Sequence, residues 1–247
     1  MGLINMIDFN KELITMLEIT KELMYIYQVE NKKNTLPKII SFEGLAGCGK
    51  STQIDLVKNA LDKKNIKVYT MELPGENGVS ILLSSLYKNK KEWNELIKIN
   101  PWTNTFFIAV DFKLMLEKIA EDGYEYVLMS RGLFSSIYYT IYNYKIAGAS
   151  EDEAIENAIN LCKIIKNPEV IIYLDIEIDE ALKRIEIRNR LPKRESDTKE
   201  CLEESLQIYN KLFEIYNEKF DIYKINAIDD RDRITDNILK IIERYIG

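Results

Sequence analysis

The chain has 247 residues, 46% of them hydrophobic and 30% charged, with a formal net charge of −6 and no histidine. That length and apolar content supply a good-sized core in one or two domains, and the acidic balance excludes a generally basic nucleic-acid binder. Without histidine, Ser-His-Asp triads, histidine general bases and histidine metal sites are excluded.

Residues 1–36 stand apart. Ile7, Leu13, Met16, Leu17, Leu23, Met24 and Ile26 recur at roughly helical spacing, and the polar stretch VENKKNTLPK follows. The expectation is an N-terminal helical extension with linker over 1–36, available for an oligomer contact, and a second domain over 37–247. Asp8 and Glu12 fall where a secretory signal would be basic and then apolar. No run of about 18 apolar residues predicts a membrane span. Cys48, Cys162 and Cys201 are odd in number and lack metal-site spacing, which reads as a reducing cytoplasm.

From residue 37 the pattern alternates. KIISFE predicts a strand, and residues 50–63 a helix with Ile54, Leu56, Val57 and Leu61 on one side. IKVYTM reads as a second strand, and the segment from Asn104 as a helix ending at Gly123. YEYVLMS is a third strand, with helix over 133–148 after it. PEVIIYLDI is a fourth strand, and its leading proline cannot extend a helix. Helices are predicted over 178–190 and 197–219, DIYKINA as a fifth strand, and a closing helix over 231–245. Strands separated by helices predict an α/β fold, a five-stranded parallel sheet with helices on both faces.

Gly44-Leu45-Ala46-Gly47-Cys48-Gly49-Lys50-Ser51 fits G-x-x-x-x-G-K-[ST], between a predicted strand and a predicted helix as the motif requires. Glycines let the backbone curl so that N–H groups converge on an anion. The following helix aims its positive end at the same place. Lys50 supplies a charge for the β- and γ-phosphates, and Ser51 a hydroxyl for Mg²⁺. The loop implies a P-loop NTPase sandwich that binds a nucleoside triphosphate. Neither NKK, at 31–33 or at 89–91, is followed by the aspartate of a guanine-reading N-K-x-D.

From Lys38 to Ile246 the chain resembles the thymidylate kinase family of P-loop kinases. The resemblance rests on SFEGLAGCGKSTQ, NTFFIAVDFKLMLEKI, SRGLFSSIYYT, IIYLDIEIDEALKRIEIRNR and DIYKINAIDDRDRITDNILKII, in that order. It implies transfer of the ATP γ-phosphoryl to the phosphate of dTMP with Mg²⁺, in a homodimer, with no nucleic-acid polymer as partner. Gly44, Gly47, Cys48, Gly49, Lys50, Ser51 and Thr52 would hold the ATP phosphates, Ser51 and Glu43 the metal, and Arg184 the adenine. Arg131 matches the arginine of D-R-[YH] and would grip the acceptor phosphate, with Ser135 and Ser136 beside it. Phe107 matches the aromatic that stacks on the base. Arg188, Arg190 and Arg194 lie in a lid near 184–197 and would close over the transferring phosphoryl.

Several positions depart from the family pattern. Ala46 stands where an acid often meets the sugar, Met71 and Leu73 alter an R-E-P-like turn, and Ser130 replaces the aspartate of D-R-[YH]. Asp111 stands where the family has a base-reading arginine, which points to an amino-bearing base. These changes open a second reading, a deoxynucleoside kinase on the same fold with Glu72 as the base that takes the 5′-hydroxyl proton. A third is a weakly active nucleotide-binding paralogue, against which the intact Lys50, Ser51 and Arg131 argue.

Overall fold

The computed structural model describes residues 36–75, 78–188 and 195–246. The helical extension expected before residue 36, and Arg190 and Arg194 of the lid, lie outside the described residues.

The strands are β1 (Lys38–Glu43), β2 (Val68–Glu72), β3 (Tyr126–Ser130), β4 (Val170–Asp175) and β5 (Ile222–Asn226). The helices between and after them are α1 (Lys50–Lys63), α2 (Gly78–Lys88), α3 (Lys90–Ile99), α4 (Thr103–Glu121), α5 (Leu133–Ile146), α6 (Glu151–Cys162), α7 (Ile178–Arg188), α8 (Lys199–Tyr216) and α9 (Arg231–Ile242). A short 3₁₀ turn spans Glu195–Asp197.

All strands pair in parallel in the order β2-β3-β1-β4-β5, with helices on both faces, as the alternating pattern predicts. Burial explains the strand sequences. Every residue of β3 is buried, as is all of β1 but Lys38 and all of β4 but Asp175. Such unbroken burial belongs to central parallel strands covered on two faces. The edge strand β5 is buried only at Ile225.

Register brings the strands' carboxyl ends together. Phe42 pairs with Ser130, Glu72 with Ser130, Glu43 with Tyr173, and Asp175 with Asn226. Chain order reverses about β1, so a crevice opens beyond its carboxyl end, where open α/β sheets place their ligands. The glycine loop leaves β1 at that point.

Helices α2, α3 and α6 fall in segments where the sequence reading placed no element. α6 carried a legible signal. Ser150 and Glu153 form a capping box, and Ala154, Ala158 and Cys162 repeat every fourth residue as its buried face. In α2 the apolar residues do not keep to one side. Leu83 is buried, whereas Ile81 and Leu82 are exposed.

Candidate active site

The loop between β1 and α1 is built by its glycines. Gly44, Gly47 and Gly49 have φ of 135°, 83° and 99°. A Cβ at Gly44 would lie 2.6 Å from Leu174 O, and one at Gly47 2.6 Å from Ala181 O. Those two positions therefore need glycine for space as well as for conformation. Gly49 caps α1 in the left-handed region without a side-chain hydrogen bond. The helix's first N–H groups are thus left for an anion.

Lys50 is buried, and its Nζ donates to Gly44 O and Leu45 O, each at 2.8 Å. Burial lowers its pKa; the nearby Cys48 opposes that shift and Arg131 adds to it. Ser51 and Thr52 are exposed and face a cavity of about 940 Å³. Gly47, Cys48, Gly49, Lys50 and Arg188 line the same space. Arg184 also lines it, bonded to Glu180 Oε1 and Ala227 O at 3.0 Å each. Glycines in the left-handed region, a buried ammonium and an exposed hydroxyl at a helix start suit a magnesium-bound triphosphate.

A second cavity, of about 780 Å³, lies beside the first. Tyr87 from α2, Trp93 from α3, Asn104 from α4, and Ser135, Ser136 and Tyr139 from α5 line it. Tyr87 hydrogen-bonds Asn104 Oδ1 and packs edge-on to Trp93 at 4.8 Å. Among the described residues, Glu72 and Arg131 line both cavities. Glu72 is the exposed last residue of β2. Arg131 follows β3 at φ 68°, and its N–H donates to Phe42 O at 3.0 Å. Ser130, at the expected aspartate position, is buried and borders only the first cavity.

Three expected site residues are placed elsewhere. Phe107 lines neither cavity and packs against Phe106 at 5.9 Å between centroids. The face of α4 that meets the second cavity carries Asn104, Thr105, Ile108 and Met115. Asp111 is also off the cavity. Its Oδ2 accepts from the Gly75 N–H at 2.8 Å and its Oδ1 from Ser80 Oγ at 2.5 Å, so it ties the turn after β2. An inference about the base from Asp111 loses its ground. Glu43 is buried, lines neither cavity, and receives hydrogen bonds from Gly132, Phe134, Ser135 and Tyr209. Tyr209, 166 residues away on α8, left no local signal in the sequence.

The sequence profile of the thymidylate kinase family matches residues 42–233. The chain belongs to the thymidylate kinase family. Thymidylate kinase from Thermoanaerobacter sp. strain X514 is 29% identical over 218 residues, which cover 85% of this chain and 98% of the relative. A probable thymidylate kinase from Sulfurisphaera tokodaii is 31% identical over 150 residues, covering 61% and 70%. Among solved structures, thymidylate kinase from Candida albicans superposes with a TM-score of 0.59 at 16% identity, covering 85% of this chain and 92% of that one. Deoxyadenosine kinase from M. mycoides gives a TM-score of 0.57 at 16% identity, covering 83% and 99%. These two share the fold. Family membership makes the chain a phosphotransferase in general kind. No helix among the described residues is long and apolar enough to cross a membrane.

Proposed function

We propose that the chain transfers the γ-phosphoryl of ATP to the phosphate of a deoxynucleoside monophosphate of the dTMP type. The observation that carries this reading is Arg131, the one cation among the described residues bordering both cavities. An arginine there touches donor and acceptor phosphates together and offers both a planar, permanently charged fork. The glycine loop and Lys50 hold the donor phosphates, and Arg184, which lines the same cavity, lies against the adenine of ATP. Mg²⁺ would be held at Ser51, where it neutralises phosphate charge. Catalysis on this account is positioning and charge stabilisation. In the second cavity, Tyr87, Trp93 and Tyr139 supply aromatic surface for a nucleobase.

Glu72 favours a second reading. It borders both cavities, and its carboxylate could take a proton from a nucleoside 5′-hydroxyl. The same carboxylate would repel an acceptor that already carries phosphate. Turnover of ATP with matched nucleoside and nucleoside monophosphate acceptors tests the proposal. Product from monophosphates and none from nucleosides supports it, and the reverse outcome selects the second reading.

A further inference from the structure

Glu43 ends β1 and is 0% exposed. Its Oε1 accepts from the backbone N–H groups of Gly132 at 2.9 Å, Phe134 at 3.1 Å and Ser135 at 3.3 Å, and from Ser41 Oγ at 3.4 Å. Its Oε2 accepts from Ser135 Oγ at 2.6 Å and Tyr209 OH at 3.1 Å. The carboxylate therefore sits at the start of α5, where exposed N–H groups and the helix dipole favour a negative charge. Burial, then the charge of Glu43, pushes the Tyr209 phenol well above its ordinary pKa, so it remains a donor.

We infer that Glu43 is a positioning residue for Arg131 and not a ligand of the metal. The Ser130-Arg131-Gly132 turn is held on both sides of Arg131. On one side the Arg131 N–H donates to Phe42 O at 3.0 Å, and on the other the Gly132 N–H donates to Glu43. Arg131 is thereby kept at φ 68°, a conformation that a residue with a side chain adopts only when its surroundings impose it. Gly132 completes the device. A Cβ there would meet Ser41 Oγ at 2.3 Å and Ser41 Cβ at 3.2 Å, so a side chain at 132 would force Ser41 to rotate away from Glu43. Tyr209 adds a tie from α8, the helix that follows the lid. A metal ion at Glu43 would have to displace these donors and leave them buried without a partner, which is costly.

The inference rests on the reading of Arg131 as the group that grips the acceptor, and two conservative variants test it. Glu43→Gln loses the charge but keeps the reach. Its carbonyl can face the three N–H groups, while its amide faces two hydroxyls that are able to accept. Glu43→Asp keeps the charge but is one methylene too short for the turn. Positioning predicts that Glu43→Asp raises the acceptor KM and lowers kcat, together by about 100-fold, the scale of a small misplacement. The ATP KM should hold within about twofold, and Glu43→Gln should stay within about fivefold of wild type with unchanged Mg²⁺ dependence, since neutral acceptors keep much of the bond. A rise of about tenfold in the Mg²⁺ needed by Glu43→Gln, with Glu43→Asp near wild type, would overturn the inference, because ligation depends on the charge. Amide hydrogen exchange over residues 131–136 is read without any acceptor. It should be faster in Glu43→Asp and near wild type in Glu43→Gln, and unchanged exchange in Glu43→Asp would also overturn the inference. A wild-type protein that turned over no acceptor would refute the proposed function, and the exchange result would still decide how the turn is held.

Discussion

Glu72 and Arg131 lie across from one another at the ends of neighbouring strands, and both border the two cavities. Glu72 pairs in register with Ser130, the residue before Arg131. A carboxylate and a guanidinium thus flank the place where the two cavities meet. Their separate chemistry allows separate tests. Glu72→Gln should leave monophosphate turnover within about threefold of wild type, because no proton need be taken from a phosphate acceptor. If the acceptor is a nucleoside, the same change should cost about 100-fold or more in kcat, within the range of a lost general base. Steady-state rates with paired acceptors read the difference.

Lys50→Ala should lower kcat by about 100- to 1,000-fold, the usual loss for one preorganised charge stabiliser. Lys50 is buried and bonded to two loop carbonyls, so the loop's own packing is also touched. Thermal melting of the variant should nevertheless show a cooperative transition. Near wild-type turnover would remove the loop from the chemistry.

Gly47→Ala should be worse than Gly49→Ala. Both have positive φ, but a Cβ at Gly47 meets Ala181 O at 2.6 Å, while one at Gly49 meets nothing within 4 Å. Backbone strain of this type costs about 1–3 kcal/mol, and Gly47→Ala adds a clash with backbone. Urea denaturation of the two variants ranks them, and equal losses would contradict the geometry.

Asp111→Ala should act on stability and not on choice of base. Removing it leaves the Gly75 N–H and Ser80 Oγ without this partner, at about 1–3 kcal/mol. The ranking of acceptors by base should be unchanged. A variant of wild-type stability with a new base preference would return Asp111 to the substrate.

Alkaline pH should destabilise the fold through Cys162. Burial pushes this thiol from 9.0 up to about 12, against a weaker opposing contact from Thr140. The folded pKa is raised, so the stabilising contribution is complete below pH 9.0 and is lost as pH climbs toward 12. The unfolded thiol ionises first, at a cost to stability of about 1.4 kcal/mol per pH unit within that window. Cys162→Ala should show a shallower fall in unfolding free energy between pH 9.0 and pH 10.0, the ordinary values for the thiol and for tyrosine. An identical slope in the variant would contradict the assignment.

The sheet was legible because its central strands are short and mostly apolar, and the loop because its glycines and lysine fall at fixed offsets. Lys50 and Ser51, read through local spacing, and Arg131, read through the family resemblance, line the first cavity. Phe107 lines neither cavity because one residue along a helix turns the side chain by about 100°. Ile108, the next residue, meets the cavity instead. Tyr209 reaches Glu43 only through the tertiary fold, which no window of sequence contains. In α2 the mixed placement of Ile81, Leu82 and Leu83 hid the helical face, whereas in α3 Trp93, Leu96 and Ile97 stand at helical spacing and the helix was legible but went unread.

The central claim is that Arg131 joins donor and acceptor in one phosphoryl transfer. Its most direct test is steady-state kinetics of Arg131→Ala with ATP and dTMP beside the wild-type protein. The wild type should convert dTMP to its diphosphate. The variant should lose about 100-fold or more in kcat/KM for dTMP, the scale of a missing charge stabiliser, with the ATP KM held within about twofold. Equal efficiency toward dTMP in the two proteins, or no transfer by the wild type to any monophosphate, would contradict the account.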